Sequence, residues 1–170
     1  MKILIDRDRI EERVRELGKE ITVDYKDKYP VFVGILKGAF IFLADLVRNV
    51  NLEAEFDFVV VSLYKGKKSP GMIILEREVL TDLSSRDVII VDEILDTGKT
   101  LEFLINHIKE KGARSIKTCI LLSKKKKRKV SIKTDYVGFE IEDKFVVGYG
   151  LDYNQRYRNL PFVGLLDGKD

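Results

Sequence analysis

Residues 88–100, Val-Ile-Ile-Val-Asp-Glu-Ile-Leu-Asp-Thr-Gly-Lys-Thr, constrain the fold more than any other stretch. The run Val88 to Val91 is apolar without alternation, the mark of a strand covered on both faces, and such strands belong to parallel sheets with helices on either side. Two carboxylates, Asp92 and Glu93, come at the carboxyl end of that run. A third, Asp96, sits in the turn, and Thr97, Gly98 and Thr100 open a helix carried by Leu101, Leu104, Ile105 and Ile108. Open α/β sheets bind ligands at the carboxyl ends of their strands. A helix start offers free N–H groups and a positive dipole end to a phosphate. Adjacent carboxylates suit sugar hydroxyls or a hydrated divalent cation. Phosphate and ribose are therefore expected side by side. A capped helix with solvated acids would need neither the three clustered carboxylates nor the glycine turn.

Gly98-Lys99-Thr100 ends like the phosphate loop of nucleotide hydrolases. That loop requires a glycine five positions earlier, where Glu93 stands, and its acid-tipped strand follows far downstream rather than preceding the glycine. The hydrolase reading fails on both counts.

The remaining pattern alternates strands with helices. Asp8 as a cap, then Ile10, Val14 and Leu17, predict an opening helix stopped at Gly18. Val31–Ile35 reads as a buried strand, 39–50 as a helix and Phe56–Leu63 as a second strand. The polar stretch 65–71 reads as a loop, and Met72–Leu75 with Val79-Leu80 as a hairpin arm outside the main sheet. Further strands are expected at Ser115–Leu122, Phe145–Tyr149 and Phe162–Leu166. With no repeat and no linker, residues 1–170 are expected to form one α/β domain around a mainly parallel sheet.

Composition narrows the function classes. Apolar residues make up 45% and charged residues 35% of the 170, which excludes a disordered chain. The longest apolar stretch, Val31–Val47, is broken by Lys37 and Asp45 and is not a membrane span, and no secretory signal pattern opens the chain. A cytoplasmic protein is expected. Cys119, alone in an apolar run, reads as a structural thiol, and His107, away from its helix start, as a structural or surface residue. The net charge of +3 is local: without the six basic residues 124–129, 25 basic residues face 28 acidic ones. No broad nucleic-acid-binding face is expected.

The segment Asp92 to Thr100 resembles the binding motif for phosphoribosyl pyrophosphate (PRPP) of type I phosphoribosyltransferases, in which two acids precede a turn ending Thr-Gly-x-Thr. Four further stretches resemble the purine-salvage branch of that family in its short bacterial form: Gly34–Phe40, Tyr64 with its polar loop, Leu121–Lys124, and Val137–Asn154. The resemblance spans nearly the whole chain. It implies a twisted, mainly parallel sheet with a small hood and a flexible antiparallel flap. The implied reaction is magnesium-dependent transfer of phosphoribose from PRPP to hypoxanthine or guanine, in a homodimer or homotetramer.

Site roles follow from the same resemblance. Asp92 and Glu93 would bind the ribose hydroxyls, and Asp96 would act on a purine ring nitrogen as general base or acid. Thr97, Gly98, Lys99 and Thr100 would cradle the 5′-phosphate. Lys37 and Gly38 match the pyrophosphate loop, where the family carries a non-proline cis peptide before the lysine. Arg158 matches its pyrophosphate-binding arginine. Lys124 matches the donor to the purine 6-oxo group, Phe145 the stacking aromatic and Val146 the backbone reader of the base edge. Asp152 matches an acid near the base that helps hold Mg2+, with Asp92 and Glu93 as further metal candidates. Leu63-Tyr64 stands where the family begins its flexible loop with Ser-Tyr, so the serine hydroxyl is missing. Asp92-Glu93 also reverses the usual Glu-Asp order. A PRPP-sensing regulator that binds nucleic acid is the rival class, disfavoured because Asp96, Lys124, Phe145 and Arg158 are all retained. Within the enzyme class, a xanthine- or pyrimidine-preferring transferase is the alternative.

Overall fold

The computed structural model describes residues 1–64, 71–124 and 130–166, without the side chain of Tyr64. The chain runs β1 (Lys2–Ile5), α1 (Arg7–Asp24), β2 (Val31–Leu36), α2 (Phe40–Val47), β3 (Glu55–Tyr64), β4 (Met72–Arg77) and β5 (Asp87–Leu95). It continues through α3 (Lys99–Glu110), β6 (Ser115–Lys124), β7 (Tyr136–Ile141), β8 (Val146–Val147) and β9 (Val163–Leu165). A six-stranded sheet has the order β4-β3-β2-β5-β6-β7, parallel throughout except for the antiparallel β3–β4 edge. A separate antiparallel sheet, β1-β9-β8, forms the small hood.

The continuous apolar runs of β2 and β5 are explained by what covers them. Phe32, Ile89, Val91, Cys119 and Leu121 face one way, into a core completed by Ile10, Val14 and Leu17 of α1 and Phe42 and Leu46 of α2. Val31, Val33, Val88, Ile90 and Ile120 face the other way, into a core completed by Leu101, Leu104 and Ile108 of α3. Alternate side chains thus enter two separate cores, so neither face of the strand can be polar. Cys119 is fully buried in the first core, as its apolar context implies, and burial pushes its thiol far up from its ordinary range. No helix among the described residues is long and apolar enough to cross a membrane.

Several sequence-based expectations need correction. The N-cap of α1 is Asp6, whose carboxylate accepts from Arg9 N at 2.9 Å, while Asp8 lies in the first turn. The helix runs through Gly18 rather than stopping there. A Cβ at residue 18 would lie 2.5 Å from the Asn49 carbonyl oxygen, so this glycine lets the chain after α2 lie directly on α1. The α2 helix is shorter than 39–50 at both ends. Met72–Arg77 is not outside the main sheet but is its antiparallel edge strand. Val79-Leu80 forms no strand. The Leu80 and Thr81 N–H groups instead donate to Asp57 Oδ2 at 2.7 and 2.8 Å, pinning the end of the arm to β3. Burial alone would raise the Asp57 carboxyl, but the N–H groups of Thr81, Phe58 and Leu80 outweigh it and hold it at about 2. The hood strands are shorter than expected, and β1 and the edge strand β7 are additional to the expected strands. The loop expected at 65–71 lies outside the described residues up to Pro70.

Candidate active site

The carboxyl ends of β2 and β5, the turn before α3 and the irregular loop after β8 enclose a cleft of about 370 Å³. β5 continues to Leu95, so Asp92 and Glu93 project from a strand still paired to β6 rather than from a loose turn. Asp92 is buried and its Oδ1 accepts from Glu93 N at 2.9 Å. Burial and then the neighbouring Glu93 carboxylate push Asp92 well above the usual carboxylate range, and burial also raises Glu93. Two adjacent acids in a poorly hydrated place cannot both ionise cheaply. The site therefore favours whatever brings positive charge or hydrogen-bond donors. Glu93 Oε2 is buried with no hydrogen-bond partner among the described residues.

Gly98 takes the left-handed conformation (φ 85°) as N-cap of α3, with no side-chain cap, so the first-turn N–H groups are not satisfied by a capping side chain. Thr97, Gly98 and Thr100 line the cleft with Asp96, whereas Lys99 is exposed and lies outside the lining. On the opposite wall the Leu36–Lys37 peptide is cis, as the resemblance implied, and Lys37 and Gly38 line the cleft. Gly38 is packed against the acid pair: a Cβ there would fall 1.7 Å from Glu93 Oε1. Apolar walls come from Ile35, Leu36, Val61, Leu63 and Leu101.

Asp152 and Arg158 also line the cleft, but they face each other. Arg158 Nη2 lies 2.8 Å from Asp152 Oδ1, and Nη1 donates to the Gly150 carbonyl at 2.6 Å. Their loop holds Tyr149, Asn154, Gln155 and Tyr157 at positive φ, a concentration of unfavourable backbone of the kind found at functional sites.

Lys124, Phe145 and Val146 do not line this cleft. The last pair of the β5–β6 ladder is Leu95 with Ser123, after which β5 gives way to the turn at Asp96 while β6 continues to Lys124. Lys124 is buried and its Nζ lies 3.5 Å from Asp143 Oδ1. Val146 is buried in β8, and Phe145, partly exposed, packs edge-on to Tyr153 with ring centroids 5.7 Å apart. The side chain of Tyr64 and the basic residues 125–129 lie outside the described residues. His107 is structural in position, on α3 with Nε2 2.6 Å from Glu78 Oε2.

No group of three or more His, Cys, Asp or Glu side chains among the described residues is arranged to hold a metal ion by itself. The raised Asp92–Glu93 pair with Asp152 nearby fits instead a hard cation that keeps water and borrows phosphate oxygens from a substrate, as Mg2+ does. A larger groove of about 590 Å³ lies between α1, α2 and the hood loop, lined by Arg7, Arg15, Arg48, Glu11 and Asp45 and by none of the expected site residues.

Residues 3–154 match the family model described as a phosphoribosyl transferase domain. The chain is similar to the hypoxanthine-guanine phosphoribosyltransferases of Bacillus subtilis (strain 168) and Streptococcus pneumoniae (strain R6). It is 45% identical to each over 97% of its own length and 92% of theirs. Among solved structures it is similar to a hypoxanthine phosphoribosyltransferase from Staphylococcus aureus. The TM-score is 0.93 at 38% identity, covering 98% of this chain and 91% of that one. A second is the Trypanosoma cruzi enzyme in complex with the product IMP, with a TM-score of 0.92 at 35% identity, covering 99% and 95%.

Proposed function

The chain belongs to the phosphoribosyl transferase family, and we propose that it transfers the 5-phosphoribosyl group of PRPP to hypoxanthine or guanine, giving IMP or GMP and pyrophosphate. One observation carries this reading: buried Asp92 and half-buried Glu93 project near the carboxyl end of β5, which leads through Asp96 in the turn to a helix start with no side-chain cap. A sugar fits against the acids while its phosphate meets the N–H groups of Thr97–Thr100.

In the reaction the anomeric C–O bond to pyrophosphate breaks, the leaving oxygen keeping the electron pair. A bond forms from a purine ring nitrogen to the same carbon, and the nitrogen's proton passes to Asp96. Positive charge builds on the sugar ring and negative charge on the pyrophosphate, so preorganised charges matter most. The Asp92–Glu93 edge faces the sugar, and Lys37 and Arg158 serve the pyrophosphate. Arg158 must then exchange its contact with Asp152 for phosphate oxygens, which its planar fork matches well. Asp152, with Asp92 and Glu93, would hold Mg2+, which would supply charge neutralisation for the leaving pyrophosphate. Lys124 donates to the purine 6-oxo group, Phe145 stacks on the ring and Val146 reads its edge through the backbone. Adenine would set a 6-amino donor against the Lys124 donor. Thr97, Gly98, Lys99 and Thr100 hold the 5′-phosphate, and the segment beginning at Leu63-Tyr64 covers the site. All of this is cytoplasmic chemistry within one domain.

The direct test is pyrophosphate release from PRPP and Mg2+ with a panel of bases. Hypoxanthine and guanine are expected to support turnover at least about a hundredfold faster than adenine or uracil, a margin that an unpaired buried polar group supplies. Turnover with uracil alone, or with no base of the panel, would refute the purine reading.

Self-association is part of the same proposal. Leu36, Phe40, Ala44, Val47, Phe56 and Phe58 line an apolar hollow beside the pyrophosphate loop, with Phe40 and Phe56 45% and 49% exposed. Such a patch on one chain marks an interaction surface. Sedimentation is expected to give a mass of at least twice 19.6 kDa, and a stable monomer would contradict it.

A further inference from the structure

Lys124 ends β6 with only 7% of its side chain accessible, a depth at which an uncompensated ammonium is costly. Among the described residues one carboxylate lies within ion-pair distance of its Nζ, that of Asp143, at 3.5 Å. The sheet explains how they meet. Lys124 pairs with Ile141 in the β6–β7 ladder, and Asp143 lies two residues past that partner. There the chain turns, with Lys144 N donating to the Glu142 carbonyl at 2.8 Å, and then reaches Phe145 and Val146. The turn that carries Asp143 therefore also delivers the residues proposed to stack on and read the base. Asp143 is 35% accessible, so the lysine is buried and its counter-ion sits at the rim.

A contact of 3.5 Å is at the long limit of a hydrogen bond and orients the ammonium without saturating it. An ammonium has three donors, and Asp143 accounts for one among the described residues, leaving others to meet an incoming acceptor. We infer that Asp143 is a positioning residue for base recognition. Its carboxylate anchors Lys124 so that the remaining donors meet a 6-oxo purine, and it thereby sets the preference for oxo over amino bases. The inference rests on the proposed reading of Lys124 as the donor to the purine. It extends that reading to a residue that had been given no role.

The test is a double-mutant cycle with steady-state kinetics on the intact enzyme. Asp143→Asn keeps the size and turn-forming capacity but removes the charge. It is expected to raise the KM for hypoxanthine and guanine about tenfold, while the KM for PRPP and kcat stay within about twofold. Asp143→Glu, which restores the charge, is expected to recover part of the loss. In a Lys124→Ala background, Asp143→Asn should add less than about a twofold further change, because the two act as one unit. An unchanged base KM in Asp143→Asn, or the same penalty with and without Lys124, would overturn the inference. If Lys124→Ala alone weakens PRPP as much as the bases, the underlying placement of Lys124 fails instead, and the two failures are distinguishable. A lowered melting temperature with equal losses for PRPP and base would mark Asp143 as a turn residue only and would likewise overturn the inference.

Discussion

Asp96→Asn is expected to lower kcat by about 10²–10⁴, the usual contribution of a positioned acid–base group, while the affinity for PRPP changes less than about threefold. Asparagine has the same shape and keeps hydrogen-bonding capacity, so the turn between β5 and α3 should hold its course. What it cannot do is accept a proton from the base. The groups proposed to hold PRPP are different ones: the Asp92–Glu93 pair, the N–H groups at the start of α3, and the Lys37–Gly38 wall. An interaction made only in the transition state lowers kcat and kcat/KM together, and stopped-flow or initial-rate kinetics would show that signature. Asp96 directly follows Leu95, whose ladder partner Ser123 directly precedes Lys124, so the residues proposed for proton transfer and base recognition adjoin the last pair of that ladder. Turnover equal to wild type would remove Asp96 from the chemistry.

Gly38→Ala is expected to abolish most activity, by about a hundredfold or more, for a steric reason. A Cβ at that position would lie 1.7 Å from Glu93 Oε1 and 2.0 Å from its Cδ. The peptide cannot easily retreat. On its other side a Cβ on Gly150 would come within 2.1 Å of the Gly38 carbonyl oxygen, so the backbone is already wedged between two close approaches. The yielding partner is the Glu93 carboxyl, which must swing away from the cleft and take a proposed sugar contact with it. Overpacking of this kind costs roughly 1–3 kcal/mol, which most folds survive. The loss should therefore appear in PRPP-dependent rate far more than in melting temperature. Gly18→Ala is the matched control. It also creates a clash, with the Asn49 carbonyl at 2.5 Å, but between α1 and the chain after α2, away from the cleft. It should lower stability while specific activity of the folded fraction holds. Wild-type activity in Gly38→Ala would mean that the loop does not press on Glu93.

Legibility in the sequence followed the range of the interactions. The β5–turn–α3 unit is readable because an apolar strand, an acid pair and a glycine helix start are all local signals, although the strand continues past the acid pair to Leu95. The meaning of Gly18 was not local. A glycine at the end of an apolar helical repeat looks like a stop, and only the fold reveals the Asn49 carbonyl that it accommodates. The stretch after β3 reads from its sequence as a separate hairpin of 72–75 with 79–80, but its first half pairs with β3 in the main sheet and its end is held by the Leu80 and Thr81 N–H groups on Asp57. β1, β8 and β9 have four, two and three residues, and strands that short are defined by their partners rather than by their own pattern.

The candidate site shows the same division. Asp92, Glu93, Asp96, Thr97, Gly98 and Thr100 were expected together and line one cleft. Lys37, Gly38, Asp152 and Arg158 join them from distant parts of the chain, and only the family resemblance had connected them. Two contacts had no sequence signal: the close packing of Gly38 on Glu93, and the mutual pairing of Asp152 with Arg158. The second implies that the arginine is preoriented at the cleft before any phosphate arrives. Separation of Lys124, Phe145 and Val146 from the cleft follows from strand order, since β6 lies beyond β5 and the hood brings β8 in from outside the sheet.

A crystal structure of the enzyme soaked with IMP tests the central claim most directly. The 5′-phosphate should lie within hydrogen-bond distance of the backbone N–H groups of residues 97–100, with the ribose against Asp92 and Glu93. A nucleotide seated instead in the arginine-lined groove between α1 and α2, with the Asp92–Thr100 turn untouched, would contradict it.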